Sequence, residues 1–295
     1  MIKRTIEISG YDTALLMQHR QIEIHREGER IAAIPAEDIG VLIVDTREAR
    51  YSHGTLVALA QEGAVVVVCD GNHEPVAMIT PVAANSTQAQ RVRLQAGLPE
   101  SLRRRLWRTV VRHKIEWQAR NIESDTQKKA LLQLVPRVQL GDKSNVEARA
   151  AKMYWPALFH DINFRRDPEG GPPNGLLNYG YMVLRAALAR AICGAGLCVS
   201  LGIQHSNKYN SFCLADDFVE CFRPLVDRVV RRLVTEGRKD VTKDTKRSLL
   251  EILTATVTCE GQQGPLMISM ERCIASFVRS LESGDDSLLL PQLWT

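Results

Sequence analysis

Asp217 and Glu220 stand three residues apart in the stretch 205–223, HSNKYNSFCLADDFVECFR. On a helix that spacing aims both carboxylates to one side. His205 precedes them in a polar Ser-Asn-Lys-Tyr-Asn loop. A histidine with two carboxylates is a donor set suited to Mg²⁺ or Mn²⁺. The plainer alternative is a solvated acidic helix face beside a surface histidine. Glu147 is less distinctive. Ser144-x-x-Glu147 fits a capping box, a purely structural role, and nothing local marks the glutamate as catalytic.

A different chemistry is suggested by arginine. Arg103, Arg104, Arg105, Arg108 and Arg112 crowd one predicted helix, with Lys114 following. Arg103/Arg104, Arg108 and Arg112 are spaced to share a face, where like charges repel by a few tenths of a kcal/mol per pair. A polyanion such as DNA would relieve that repulsion. Trp107 lies among them, either as a base-stacking platform or, as its apolar neighbours favour, in the core. A second basic stretch, Arg228 to Arg247, is diluted by interleaved acids.

These side chains need elements to position them. Residues 2–8, 20–25, 39–45, 64–69 and 76–80 read as strands, with a turn at Glu27-Gly28 leading into a hairpin partner over 30–35. A single helix over 55–61 interrupts them. The small, polar run beginning at Pro81 reads as a linker. Beyond it the apolar spacing turns helical over 100–120, 124–135, 144–160, 178–195, 214–236, 243–257 and 266–282, while 161–177 reads as a loop. The expected class is α+β. A small β-rich, sandwich-like domain spans residues 1–80, a linker 81–95, and a larger all-α domain 96–295.

The chain has 295 residues, 45% of them hydrophobic, enough to bury a sizeable core. No apolar run approaches the roughly 20 residues of a membrane span. The start, MIKRTIEISGYD, lacks the apolar stretch of a secretory signal, so a cytoplasmic protein with no membrane partner is expected. Seven cysteines and no CxxC pair argue against a disulfide framework or a structural zinc site. Residues 1–90 carry 7 Lys and Arg against 12 Asp and Glu, and the remainder carries 31 against 22. The back is therefore the candidate for polyanion binding.

Four segments, in order, resemble a known family. They are Asn145-Val-Glu147-Ala-Arg-Ala150-Ala151-Lys-Met-Tyr154, Asn174-Gly-Leu-Leu-Asn178-Tyr179-Gly180-Tyr181, Gly202-Ile-Gln-His205-Ser-Asn207-Lys-Tyr-Asn210 and Leu214-Ala-Asp216-Asp217-Phe-Val-Glu220-Cys221-Phe222-Arg223-Pro224-Leu-Val-Asp227. The chain resembles the CRISPR-associated adaptation endonuclease/integrase family, in its type II-like version, and departs from it at Cys221, where proline is usual. The resemblance implies that Glu147, His205 and Glu220 are catalytic and hold Mg²⁺ or Mn²⁺. Asp217 would be a further ligand or a supporting acid. It implies joining of the 3′-hydroxyl of captured DNA fragments to a repeat array. The implied partners are double-stranded DNA (prespacer and CRISPR repeat), a second copy in a homodimer, and a small second adaptation protein bridging two dimers. A non-catalytic DNA-binding scaffold using only the basic helices is the alternative.

Overall fold

β-branched runs bounded by turn residues dominate the front of the chain, and they fold as strands. The computed structural model describes residues 3–70, 75–82 and 85–294. The strands there are β1 (Arg4–Ile8), β2 (Thr13–Gln18), β3 (Gln21–Arg26), β4 (Glu29–Pro35), β5 (Ile39–Val44), β6 (Ala49–Tyr51), β7 (Val65–Cys69) and β8 (Pro75–Ile79), with helix α1 (His53–Gln61) between β6 and β7. One sheet has the order β1-β5-β7-β8, and a second β4-β3-β2-β6. Every residue of β5 is buried, as a central strand of unbroken Ile, Gly, Val and Leu should be. Ile8, Leu42 and Val66 of the first sheet share a core with Leu15, Ile22 and Ile34 of the second and with Leu59 of α1. This is the sandwich-like front that the alternating pattern predicts.

Glu27 and Gly28 both take positive φ, 52° and 82°, and close the β3–β4 hairpin as a two-residue turn of the kind right-twisted strands favour. His19 and Arg20 do the same between β2 and β3, at 47° and 63°. The sequence reading has no strand over β2. Its Leu and Met favour helix, and a His-Arg turn lacks the glycine that usually announces a hairpin.

From residue 88 onward the elements are α2 (Gln88–Ala96), α3 (Glu100–Arg120), α4 (Asp125–Leu132), α5 (Val146–Leu158), α6 (Asn174–Gly194), α7 (Cys213–Thr235), α8 (Lys243–Leu250), β9 (Thr256–Cys259), β10 (Gln262–Pro265), α9 (Leu266–Ser283) and β11 (Leu293–Trp294). Strands lead and helices follow, as expected, with three departures. The stretch 81–95 is not wholly a linker. Asn85 accepts hydrogen bonds from the N–H and hydroxyl of Thr87, and the Gln, Ala and Arg residues that follow form α2. Helix α6 begins inside the expected loop because Asn174 is held by Arg166 and by the carbonyls of Arg165 and Gly171. The back is not all-α either. The expected helix 243–257 stops at Leu250, and β-branched Thr256, Val257 and Thr258 form a strand. It pairs with β10 through a Glu260-Gly261 turn at positive φ, and with β11.

The chain divides into two compact units, Met1–Arg91 with Ala186–Leu197, and Val92–Arg185 with Cys198–Thr295. Among the described residues no helix is long and apolar enough to cross a membrane, and the cysteines form no disulfide. Within the second unit α6 and α7 approach closely at Gly180, where an added Cβ would lie 2.4 Å from Val226 Cγ1.

Candidate active site

Helix α3 buries Leu102, Leu106 and Val110, and the same four-residue step brings Lys114 onto that face. The residue is buried. Nζ lies 2.5 Å from Glu147 Oε1 and 2.5 Å from Glu220 Oε2. Burial would lower the lysine pKa, but Glu220 and Glu147 overcome it and raise the pKa, so the ammonium stays charged. Two carboxylates distant in sequence thus meet on one cation.

Each glutamate is fixed by its own helix start or turn. Asp142 accepts the main-chain N–H groups of Val146 and Glu147, at 2.9 Å each, and Asn145, at φ 50°, accepts from Ala148. These two residues cap α5. The Ser144–Glu147 capping box therefore does not form, and the Glu147 carboxylate is left to face Lys114. On α7, Glu220 is 5% exposed. Its second oxygen, Oε1, is 3.1 Å from Arg223 Nη2 one turn on. Burial would raise the Glu220 pKa, and Arg223 and Lys114 instead bring it down to about 2.

Asp217 is fully buried and organises the loop before α7. One oxygen accepts the N–H groups of Ile203 and Gln204, the other the main-chain N–H and the Nδ1 of His205 at 3.0 and 2.7 Å. An ionised carboxylate only accepts, so Nδ1 carries the proton and Nε2 is the nitrogen left for other chemistry. That hydrogen bond raises the His205 pKa against the opposing effect of partial burial, with Glu220 adding to the rise. The loop wraps Asp217 so tightly that a Cβ on Gly202 would meet His205 O at 2.3 Å. Asp216 turns elsewhere, to Arg185 at 2.6 Å and Asn210 at 2.7 Å.

Trp107 is buried and sets its ring edge-on to His205 at 6.0 Å between centroids. It belongs to the core, as favoured from sequence, and packs behind the histidine. Below the site Tyr154 and Tyr181 donate to the two oxygens of buried Asp227, and Arg223 lies over the Tyr181 ring. Arg103 and Arg104 reach Glu100 at 3.7 and 2.8 Å, and Arg112 reaches the Val138 carbonyl. Among the described residues Arg108 has no ion-pair partner. In the second basic stretch Arg232, Arg238 and Arg247 pair with local acids, and Arg231 pairs with the distant Asp161. Sequence reasoning missed Lys114, Asp142, Arg223 and Asp227. Two of them gave a signal, Lys114 as a charge at an apolar repeat position and Arg223 by its three-residue step from Glu220.

Glu147, Glu220 and His205 offer oxygen and nitrogen donors that Mg²⁺ and Mn²⁺ accept. The two glutamates already converge on a positive charge, so the donor set fits a cation. Among the described residues, however, no three His, Cys, Asp or Glu side chains are gathered into a ready-made ligand shell.

Residues 6–254 match the family model described as CRISPR associated protein Cas1. The chain is 35% identical to the CRISPR-associated endonuclease Cas1 of Neisseria meningitidis serogroup C, over 95% of this chain and 93% of that protein. It is 30% identical to a CRISPR-associated endonuclease Cas1 of Pyrobaculum aerophilum, over 87% and 91%. Among solved structures, a casposase bound to an integration product aligns over 98% of this chain and 92% of that one, with TM-score 0.79 and 18% identity. A Cas1 protein from Thermotoga maritima aligns over 97% and 99%, with TM-score 0.72 and 15% identity. A Cas6-RT-Cas1--Cas2 complex chain aligns over 97% and 35%, with TM-score 0.78 and 14% identity. With its glutamate helix, histidine loop and acidic helix all in place, this chain belongs to the Cas1 family of CRISPR associated proteins.

Proposed function

We propose that this protein is a divalent-metal-dependent DNA endonuclease and integrase of CRISPR adaptation. The observation that carries the reading is the meeting of Glu147 and Glu220, 73 positions apart in the chain, on one buried cation. Glu147, Glu220 and His205 would hold Mg²⁺ or Mn²⁺. When bound, the ion neutralises phosphodiester charge and lowers the pKa of the attacking hydroxyl. Asp217 keeps His205 in one tautomer and one orientation. In strand transfer the 3′-hydroxyl of a captured fragment attacks phosphorus at the repeat boundary, loses its proton, and the bond to the leaving oxygen of the target strand breaks. Water in place of that hydroxyl gives hydrolysis.

The relatives named as endonucleases and the casposase bound to an integration product support this chemistry. The likeness to a complex containing Cas2 supports a second, small adaptation protein as partner. Double-stranded DNA would lie along the arginine face of α3, and a homodimer would supply the paired sites that two strand transfers need. The compartment would be the cytoplasm. Oligonucleotide joining and cleavage, titrated with Mn²⁺ and then with EDTA, tests the reading. Joining should need the metal, and Glu147→Ala, His205→Ala and Glu220→Ala should each abolish it while duplex binding persists. Wild-type joining by all three variants would overturn the site assignment, joining indifferent to EDTA would overturn the metal dependence, and duplex binding with no joining at all would leave only a DNA-binding scaffold.

A further inference from the structure

The acids around this site already have partners within the protein. Glu147 faces Lys114, Glu220 faces both Lys114 and Arg223, Asp216 faces Arg185, and Asp217 faces His205. A divalent cation entering at the two glutamates meets carboxylates that Lys114 and Arg223 already compensate. We propose that Lys114 is a built-in counter-ion that the metal must displace, so that its charge sets how tightly the site binds metal. The inference rests on the metal-binding reading of Glu147 and Glu220.

Distances carry it. The Nζ of Lys114 lies 2.5 Å from an oxygen of each glutamate. An ion bound to either oxygen at about 2.1 Å would stand no farther than about 4.6 Å from Nζ if the lysine stayed. The residue is 8% exposed, so little water intervenes to screen that repulsion. Lysine also suits the part. Its ammonium is a compact charge on a flexible four-carbon stem and can swing away, whereas the planar fork of an arginine would grip both carboxylates. While it stays, Lys114 keeps the buried Glu220 and the half-buried Glu147 carboxylates from repelling one another. Once displaced, its ammonium is released beside the site, where a DNA phosphate would take it.

The test is a Mn²⁺ titration of the whole protein without DNA, read by the electron paramagnetic resonance signal of free Mn²⁺. Wild type, Lys114→Met, Lys114→Arg and Glu147→Ala are compared. Lys114→Met removes the charge at similar length and should bind Mn²⁺ at least tenfold more tightly. Lys114→Arg keeps the charge and should bind no more tightly than wild type. Should Lys114→Met be too unstable to titrate, thermal unfolding supplies the readout. Mn²⁺ should then raise its midpoint more than it raises that of wild type, and raise that of Lys114→Arg least. Equal or weaker binding by folded Lys114→Met, with wild type binding and Glu147→Ala failing, overturns the displacement role alone. If wild type and Lys114→Met both fail to bind Mn²⁺, the metal reading falls and this inference with it.

Discussion

One oxygen of Asp217 accepts two hydrogen bonds from His205, the main-chain N–H at 3.0 Å and the imidazole Nδ1–H at 2.7 Å. Residue and loop are therefore fixed by the same atom. Asp217→Asn removes the negative acceptor. The His205 pKa, which this hydrogen bond raises, should fall in the variant, as an NMR titration of the ring would register. Leaving buried donors short of an acceptor should cost about 1–3 kcal/mol of stability in urea unfolding. Strand joining should drop by about 10–100-fold, the usual effect of losing the partner that orients a ligating histidine. An unchanged His205 titration would show that Asp217 does not govern the ring.

Arg108 has the guanidinium of the α3 basic face least committed to the protein's own acids, while Arg104 is tied to Glu100 at 2.8 Å. Arg108→Ala should lower the slope of log affinity against log salt for duplex DNA by about 0.9, the value of one lost phosphate contact. Arg104→Ala should change it less. Filter binding across a salt series reads both, and identical slopes in wild type and Arg108→Ala would remove Arg108 from the DNA surface.

Gly180 lets α6 sit against α7, since a Cβ there would come within 2.4 Å of Val226 Cγ1. Gly180→Ala gains about 1 kcal/mol of helix propensity. It should still lose about 1–3 kcal/mol net to overpacking. Val226→Ala on the same chain should restore part of that loss, a coupling that a double-mutant cycle of denaturation midpoints measures. Additive effects would mean that the two side chains do not meet.

Asp227 makes stability depend on pH in an unusual direction. Burial raises its pKa from 3.8 to about 6, against the hydrogen bonds of Tyr181 and Tyr154. An acid with a raised folded pKa contributes stability that is complete below the unfolded value and is lost as pH climbs through the folded one. The shift corresponds to about 3 kcal/mol in full, and about 1 kcal/mol of it should appear between pH 7.5 and 5. Over that interval wild type should gain about 1 kcal/mol relative to Asp227→Asn in urea unfolding. A gap that stays constant, or widens the other way, would show that Asp227 is ionised in the folded protein.

Local geometry was legible in the sequence, and distant pairing was not. The three-residue steps from Asp217 to Glu220 to Arg223 fix which side chains share a helix face, and the Glu220–Arg223 pair follows from that alone. The succession of strands and then helices could be read because periods of 2 and 3.6 are written in neighbouring residues. Lys114 finds its partners 33 and 106 positions away, and no local pattern names them. The same limit hid Asp227 beneath Tyr154 and Tyr181. Strand β9 was absorbed into a helix because Val257 continues the helical spacing of α8, while its pairing partners in β10 and β11 lie further along the chain. The capping box failed for a subtler reason. Asp142 and Asn145 compete for the same helix start as Ser144, and only the turn geometry decides which of them wins.

Helix α7 contributes the last member of the Lys114–Glu147–Glu220 trio. Synthesis delivers the chain in order, so a ribosome that stalls before residue 220 releases a lysine and a single glutamate with nothing to complete them. Aborted translation products would carry the basic α3 surface yet no assembled centre. Such a fragment would lack the carboxylate that closes the proposed metal site.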